Sequence, residues 1–170
     1  VVGHFLNNIN YGHLYFSFLN VRTECTIKIQ VVNTCLKKGR KMDNNYFIDR
    51  YPFKNKPFVH QGAYLQRFWE DKNVAVLAEM GTGKSFMLIN NAAMLYDKGR
   101  IDALLIVAPK GVYRNWYKSE IPKHMPDHVK YQMACWTPSP KKAEKVEMDA
   151  MLNAVDDLRI LIMNIEAFST

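Results

Sequence analysis

The stretch Val74-Ala75-Val76-Leu77-Ala78-Glu79-Met80-Gly81-Thr82-Gly83-Lys84-Ser85-Phe86 decides how the chain is read. Val74 to Leu77 is a short, wholly apolar run, the composition of a strand covered on both faces. Ala78 to Ser85 then follows the pattern G-x-x-x-x-G-K-[ST], with Ala78 in place of the first glycine. From Phe86 to Tyr96 apolar residues recur at helical spacing, and Gly99 is suited to closing that helix. Strand, glycine-rich loop and helix in this order make a phosphate cradle. Gly81 and Gly83 let the backbone curl so that successive N–H groups face one oxyanion, and the helix adds its positive end. In this reading Ala78, Gly81, Thr82 and Gly83 supply the backbone, and Lys84 neutralises the β and γ phosphates as the catalytic cation. Ser85 offers its hydroxyl to magnesium, so ATP and magnesium are the expected cofactors. A plain glycine-rich turn carrying an exposed lysine is the competing reading. The strand before the loop and the helix after it argue against it.

Outward from the loop, the spacing of Phe58, Ala63, Leu65, Phe68 and Trp69 predicts a helix over 58–69, with Pro57 suited to its first turn. Ala103 to Ala108 is a second apolar run, ending at Pro109. Val112 to Ile121 is expected helical, ending at Pro122. Tyr131 to Trp136 fits a strand, Lys141 to Val155 a charged amphipathic helix, and Arg159 to Ile165 a buried strand. Apolar strands without alternation, separated by helices, predict an α/β fold: a parallel sheet with helices on both faces.

Composition narrows the class. At 170 residues and 48% hydrophobic content the chain is long enough for one sizeable core, and no apolar run approaches the roughly 18 residues of a membrane span. A soluble, intracellular protein with no membrane partner is expected, in a bacterial or phage-infected cytoplasm. Cys25, Cys35 and Cys135 have no metal-ligand spacing and are expected as buried or free thiols. The net charge of +7 is unevenly placed: residues 1–41 hold six cations against one acid, whereas residues 42–170 hold 17 against 15. Bulk charge is therefore a weak argument for a nucleic-acid partner. The first 41 residues also lack Ala, Asp, Pro, Met and Trp. Residues 1–41 are accordingly set apart as an atypical segment, and Met42 is a candidate initiator. The alternative is a short strand-rich arm built on Cys25 to Val32.

The neighbours of the loop carry a resemblance. Lys56-Pro57-Phe58-Val59-His60-Gln61-Gly62 resembles the adenine-reading segment of superfamily 2 helicases, the Swi/Snf-like branch in particular. There Gln61 is the residue implied, because its carboxamide matches the N6 and N7 edge of adenine. Leu104-Leu105-Ile106-Val107-Ala108-Pro109-Lys110, followed by Val112, Asn115-Trp116 and Glu120, resembles the next motif of that branch. The resemblance assigns nucleic-acid contacts to Pro109, Lys110 and Arg114, while Trp116 falls on an inner helix face and reads as packing. Ile160 to Phe168 resembles a later strand motif, with Asn164 and Ile165 where Thr and Tyr are usual; it implies a backbone contact from Asn164.

The resemblance implies the first RecA-like lobe of a DNA-dependent ATPase, with DNA a more natural partner than RNA, over residues 42–170. It also implies that the Asp-Glu motif and the arginine of a second lobe stand outside the chain, which would make it C-terminally truncated and weak in hydrolysis. Asn164 stands where a magnesium-binding Asp would be needed if Ile160 to Glu166 were that motif. Two other classes remain open at this point: another P-loop ATPase or phosphotransferase, and a non-enzymatic nucleotide-binding module.

Overall fold

A computed structural model describes residues 13–21, 25–33, 48–71, 73–164 and 167, the first two segments by their backbone. The candidate start at Met42, Cys35, Ile165 and Phe168 lie outside the described residues. The elements are strands β1 (His13–Val21), β2 (Cys25–Asn33), β3 (Asn73–Val76), β4 (Ala103–Ala108), β5 (Tyr131–Trp136) and β6 (Leu158–Asn164). The helices are α1 (Val59–Phe68), α2 (Lys84–Asp97), α3 (Tyr113–Asn115), a π-turn Trp116–Glu120, α4 (Ile121–His124) and α5 (Lys142–Leu152).

All six strands form one sheet in the order β3-β1-β2-β4-β6-β5. β4, β6 and β5 are parallel, with Ala108 paired to Asn164 and Trp136 to Met163 at the carboxyl end. β4 is buried along its whole length, as its unbroken apolar run demands. Its residues divide by face. Leu104, Ile106 and Ala108 join a core with Leu65, Trp69, most of α2, Trp116, Ile121 and Met125. Ala103, Leu105 and Val107 join a second core with Met148 and Met151 of α5. Helices therefore cover both faces of the parallel part.

The sheet as a whole is mixed, which corrects the expectation of a purely parallel one. β1 and β2 form an antiparallel hairpin inserted between β3 and β4, with β1 parallel to β3 and β2 antiparallel to β4. The apolar runs of β4, β5 and β6 do pair with one another in parallel, but they carry nothing about a hairpin from far upstream that separates β3 from β4. Because β3 and β4 both run parallel to β1, the carboxyl ends of β3, β4, β6 and β5 share one edge of the sheet. At about 4.8 Å per strand, the ends of β3 and β4 stand roughly 14 Å apart.

Helix ends follow local chemistry. Lys98 and a left-handed Gly99 (φ +61°) close α2. The helix after β4 does not end at Pro122; it runs on to His124. Immediately before the proline it widens into the π-turn, in which the Ile121 N–H reaches the carbonyl of Trp116. Pro122 has no N–H to give, and the change of hydrogen-bond register at the π-turn falls at the residues just before it. Cys135 is buried and free, and burial pushes its thiol up to about 11. No helix among the described residues is long and apolar enough to cross a membrane.

Candidate phosphate-binding loop and its neighbours

The loop after β3 turns on two residues in the left-handed region, Gly81 (φ +82°) and Gly83 (φ +79°), which an L side chain occupies only at a cost. Gly83 is also the residue before α2. The Thr82 hydroxyl donates to the Glu79 carbonyl at 2.9 Å and fixes the curl. Lys84 is 8% exposed, and its ammonium donates to the carbonyls of Ala78 (2.9 Å) and Glu79 (2.7 Å). The charge thus lies beneath the loop that the two glycines curl, and the side chain is held to backbone rather than to an acid. Ala78 and Ser85 are half-buried at the two ends of the loop.

The start of α1 closes against this loop. The Gln61 side chain accepts a hydrogen bond from the Phe58 N–H (3.0 Å) and donates from Nε2 to the Thr82 carbonyl (3.1 Å). His60 Nε2 lies 2.9 Å from the same carbonyl, so that nitrogen carries the proton and donates. Two consecutive side chains converge on one loop carbonyl. A Cβ added at Gly83 would collide with Gln61 Nε2, so a side chain there would have to displace the Gln61 amide in addition to bearing the left-handed conformation. Gln61 is buried, yet its carboxamide retains one further lone pair and one further N–H beyond those used here.

A strap comprising residues 51–55 leads into α1 and ties it to the far side of the molecule. Tyr51 donates its hydroxyl to Asp97 (2.8 Å), and His128 Nε2 meets the same carboxylate oxygen at 2.8 Å. Burial, then the Asp97 carboxylate, push the Tyr51 phenol far above its ordinary range. Lys54 pairs with Asp127 (2.8 Å), and Asn55 donates to the Lys123 carbonyl (2.7 Å). None of these contacts has a sequence signal, because each joins positions far apart in the chain. The pairing of His60 with Gln61 on Thr82 had one: both stand about twenty residues before the loop on a helix start.

Between α1, the free edge of β3 and Met87 lies a groove of about 470 Å³ that His60, Tyr64, Phe68 and Asp71 line. The Tyr64 hydroxyl is buried without a hydrogen-bond partner among the described residues, and burial pushes it up to about 12.

The second group of sequence-predicted residues meets at the end of β4. Pro109 is half-buried, and its carbonyl accepts the N–H groups of Val112 (2.8 Å) and Tyr113 (3.1 Å), which starts the following helix. Lys110 and Arg114 are exposed, and Arg114 donates to the Tyr113 hydroxyl at 2.9 Å. Trp116 is 1% exposed, a packing residue as its helix face implies. Asn164 pairs in register with Ala108, so it does stand beside this segment. Its side chain, however, is buried, and its Oδ1 accepts the Ala167 N–H at 3.0 Å. Among the described residues no group of three His, Cys, Asp or Glu side chains is arranged to hold a metal.

Comparison with family models, curated proteins and solved structures returns no match.

Proposed function

We propose that the chain binds ATP at Ala78 to Ser85 and belongs to a nucleic-acid-driven motor of helicase or translocase type. The observation that carries this is the convergence of His60 and Gln61 on the Thr82 carbonyl, which joins the segment read as adenine-reading to the loop read as phosphate-binding. A glycine-rich turn without function gives no reason for a buried lysine beneath it or for a second glycine packed against a glutamine amide.

The residues present suit a polyphosphate with magnesium. Lys84 would exchange its two carbonyl partners for phosphate oxygens, so that its ammonium meets full negative charge where it now meets carbonyl dipoles. Ser85 would hold magnesium through its hydroxyl, and magnesium supplies charge neutralisation along the phosphates. Gln61 would read the adenine edge with its spare donor and acceptor while keeping its grip on the loop. Pro109, Lys110 and Arg114, on the same edge of the sheet, would meet the sugar-phosphate backbone, DNA in the first instance. Binding at the carboxyl ends of strands is the general rule for open α/β sheets.

Competition of unlabelled ATP and GTP against a fluorescent ATP analogue tests the reading. ATP is expected to compete at least tenfold better, which corresponds to about 1.4 kcal/mol, and Gln61→Ala to bring the two together. Equal competition by GTP against the unaltered chain would reject the adenine assignment and favour another type of phosphate-binding protein.

A further inference from the structure

We propose that the first turns of α5 form a second row of phosphate contacts, Lys141, Lys142 and Lys145, continuing the row Lys110, Arg114 and Lys118 around the carboxyl edge of the sheet. The partner this surface fits is the sugar-phosphate backbone of a nucleic acid, and the inference rests on the reading of the Pro109 to Arg114 segment given above.

Charge is concentrated here and nowhere else in the α/β part. Residues 109–118 and 137–145 together hold six cations against one acid, whereas the rest of residues 42–170 holds eleven cations against fourteen acids. Within residues 42–170 the near-neutral average therefore conceals one basic stretch, and a local excess of this kind attracts a polyanion to one place. All six cations are exposed, and none lies within ion-pair distance of a carboxylate among the described residues. The acid within these two stretches, Glu144, accepts the Lys141 N–H and the Thr137 hydroxyl, both at 3.1 Å, and so caps α5.

The two rows come from helices on opposite faces of the sheet, yet they adjoin. Arg114 and the Cys135 thiol both feel the charge of Glu144, so the helix after β4 and the start of α5 stand close to one another. β4 and β5, the strands that feed the two helices, are separated only by β6, which sets their carboxyl ends about 10 Å apart. That distance covers about three nucleotides at 3.4 Å of rise per strand. A line of cations across three strand ends suits a line of phosphates, and contacts of this kind position a nucleic acid without reading its sequence.

The test is binding of the full chain to a fluorescein-labelled single-stranded oligonucleotide of about 20 residues, by anisotropy between 50 and 200 mM salt. The triple variant Lys141→Gln, Lys142→Gln, Lys145→Gln keeps helix propensity nearly unchanged. It is expected to lower the slope of log K against log salt by about 2, at roughly 0.7 per contact. Over that salt range the unaltered chain then loses about 20-fold more affinity than the variant. Lys130→Gln, on the opposite edge before β5, is expected to leave the slope alone. A triple variant with the original slope, alongside a Lys110→Ala slope lower by about 0.7, would overturn the α5 row and leave the first row standing. Absence of oligonucleotide binding by the unaltered chain would instead overturn the underlying reading. Competition by polyglutamate as strong as by an oligonucleotide of equal charge would overturn the choice of partner.

Discussion

Replacing Gly83 by alanine separates conformation from crowding, because Gly81 provides an internal control. Both residues hold left-handed backbone at nearly the same angle, φ +79° and +82°. A side chain in that region costs about 1–2 kcal/mol, offset in part by a gain of about 0.4–1 kcal/mol from a stiffer unfolded chain, and both contributions apply equally at the two sites. Only Gly83 faces the Gln61 amide; a Cβ at Gly81 meets open space. Gly83→Ala must in addition expel Gln61 Nε2 from the Thr82 carbonyl, a hydrogen bond whose net loss costs about 0.5–1.5 kcal/mol. The difference between the two variants is therefore about 1 kcal/mol. In urea, with a slope near 1.5 kcal/mol per molar, Gly83→Ala should unfold at a midpoint about 0.7 M below Gly81→Ala. In a Gln61→Ala background the collision disappears, and the extra penalty of Gly83→Ala should vanish with it. Equal midpoints for the two glycine variants, or strict additivity with Gln61→Ala, would refute the packing of α1 on the loop.

Two further outcomes follow from polar groups that burial leaves poorly served. Tyr64→Phe removes a buried hydroxyl without a partner among the described residues and should be neutral or raise stability by up to about 1 kcal/mol; a loss of that size in thermal unfolding would mean the hydroxyl is bonded. Burial lowers the folded-state pKa of His124, so the unfolded chain binds the proton more readily. Its contribution is present above the ordinary histidine value and is lost as pH falls through it toward the folded one. The unaltered chain should therefore lose more midpoint between pH 7 and pH 5 than His124→Asn, and parallel pH profiles would count against it.

Much of the α/β part was legible because its signals are local. An unbroken apolar run sets β4 between two covered faces, helical spacing sets α1, α2 and α5, and the glycines, Lys84 and Ser85 follow one another within a single loop. What escaped the sequence depends on partners remote along the chain. The run from Cys25 to Val32 offers a strand, and β2 occupies it, but the insertion of the β1–β2 hairpin between β3 and β4 rests on backbone pairing that no residue pattern announces. The Tyr51 to Asp97 and Asn55 to Lys123 contacts join residues 46 and 68 positions apart. Asn164 carries the motif position expected of a surface contact, yet its side chain is buried and its Oδ1 accepts the Ala167 N–H, a contact that the strand's apolar run does not announce. The helix continues past Pro122 to His124 through the π-turn, an accommodation that a proline in the sequence does not announce.

The central claim is that Lys84 lies beneath a loop built to receive phosphate. Titrating the full chain with ATP and magnesium by calorimetry, beside a Lys84→Met variant that keeps the apolar stem and removes the charge, tests it most directly. The account predicts saturable binding by the unaltered chain and its loss, at least 100-fold or about 2.7 kcal/mol, in a variant whose circular dichroism is unchanged. Equal affinity for ATP in the folded variant would contradict it.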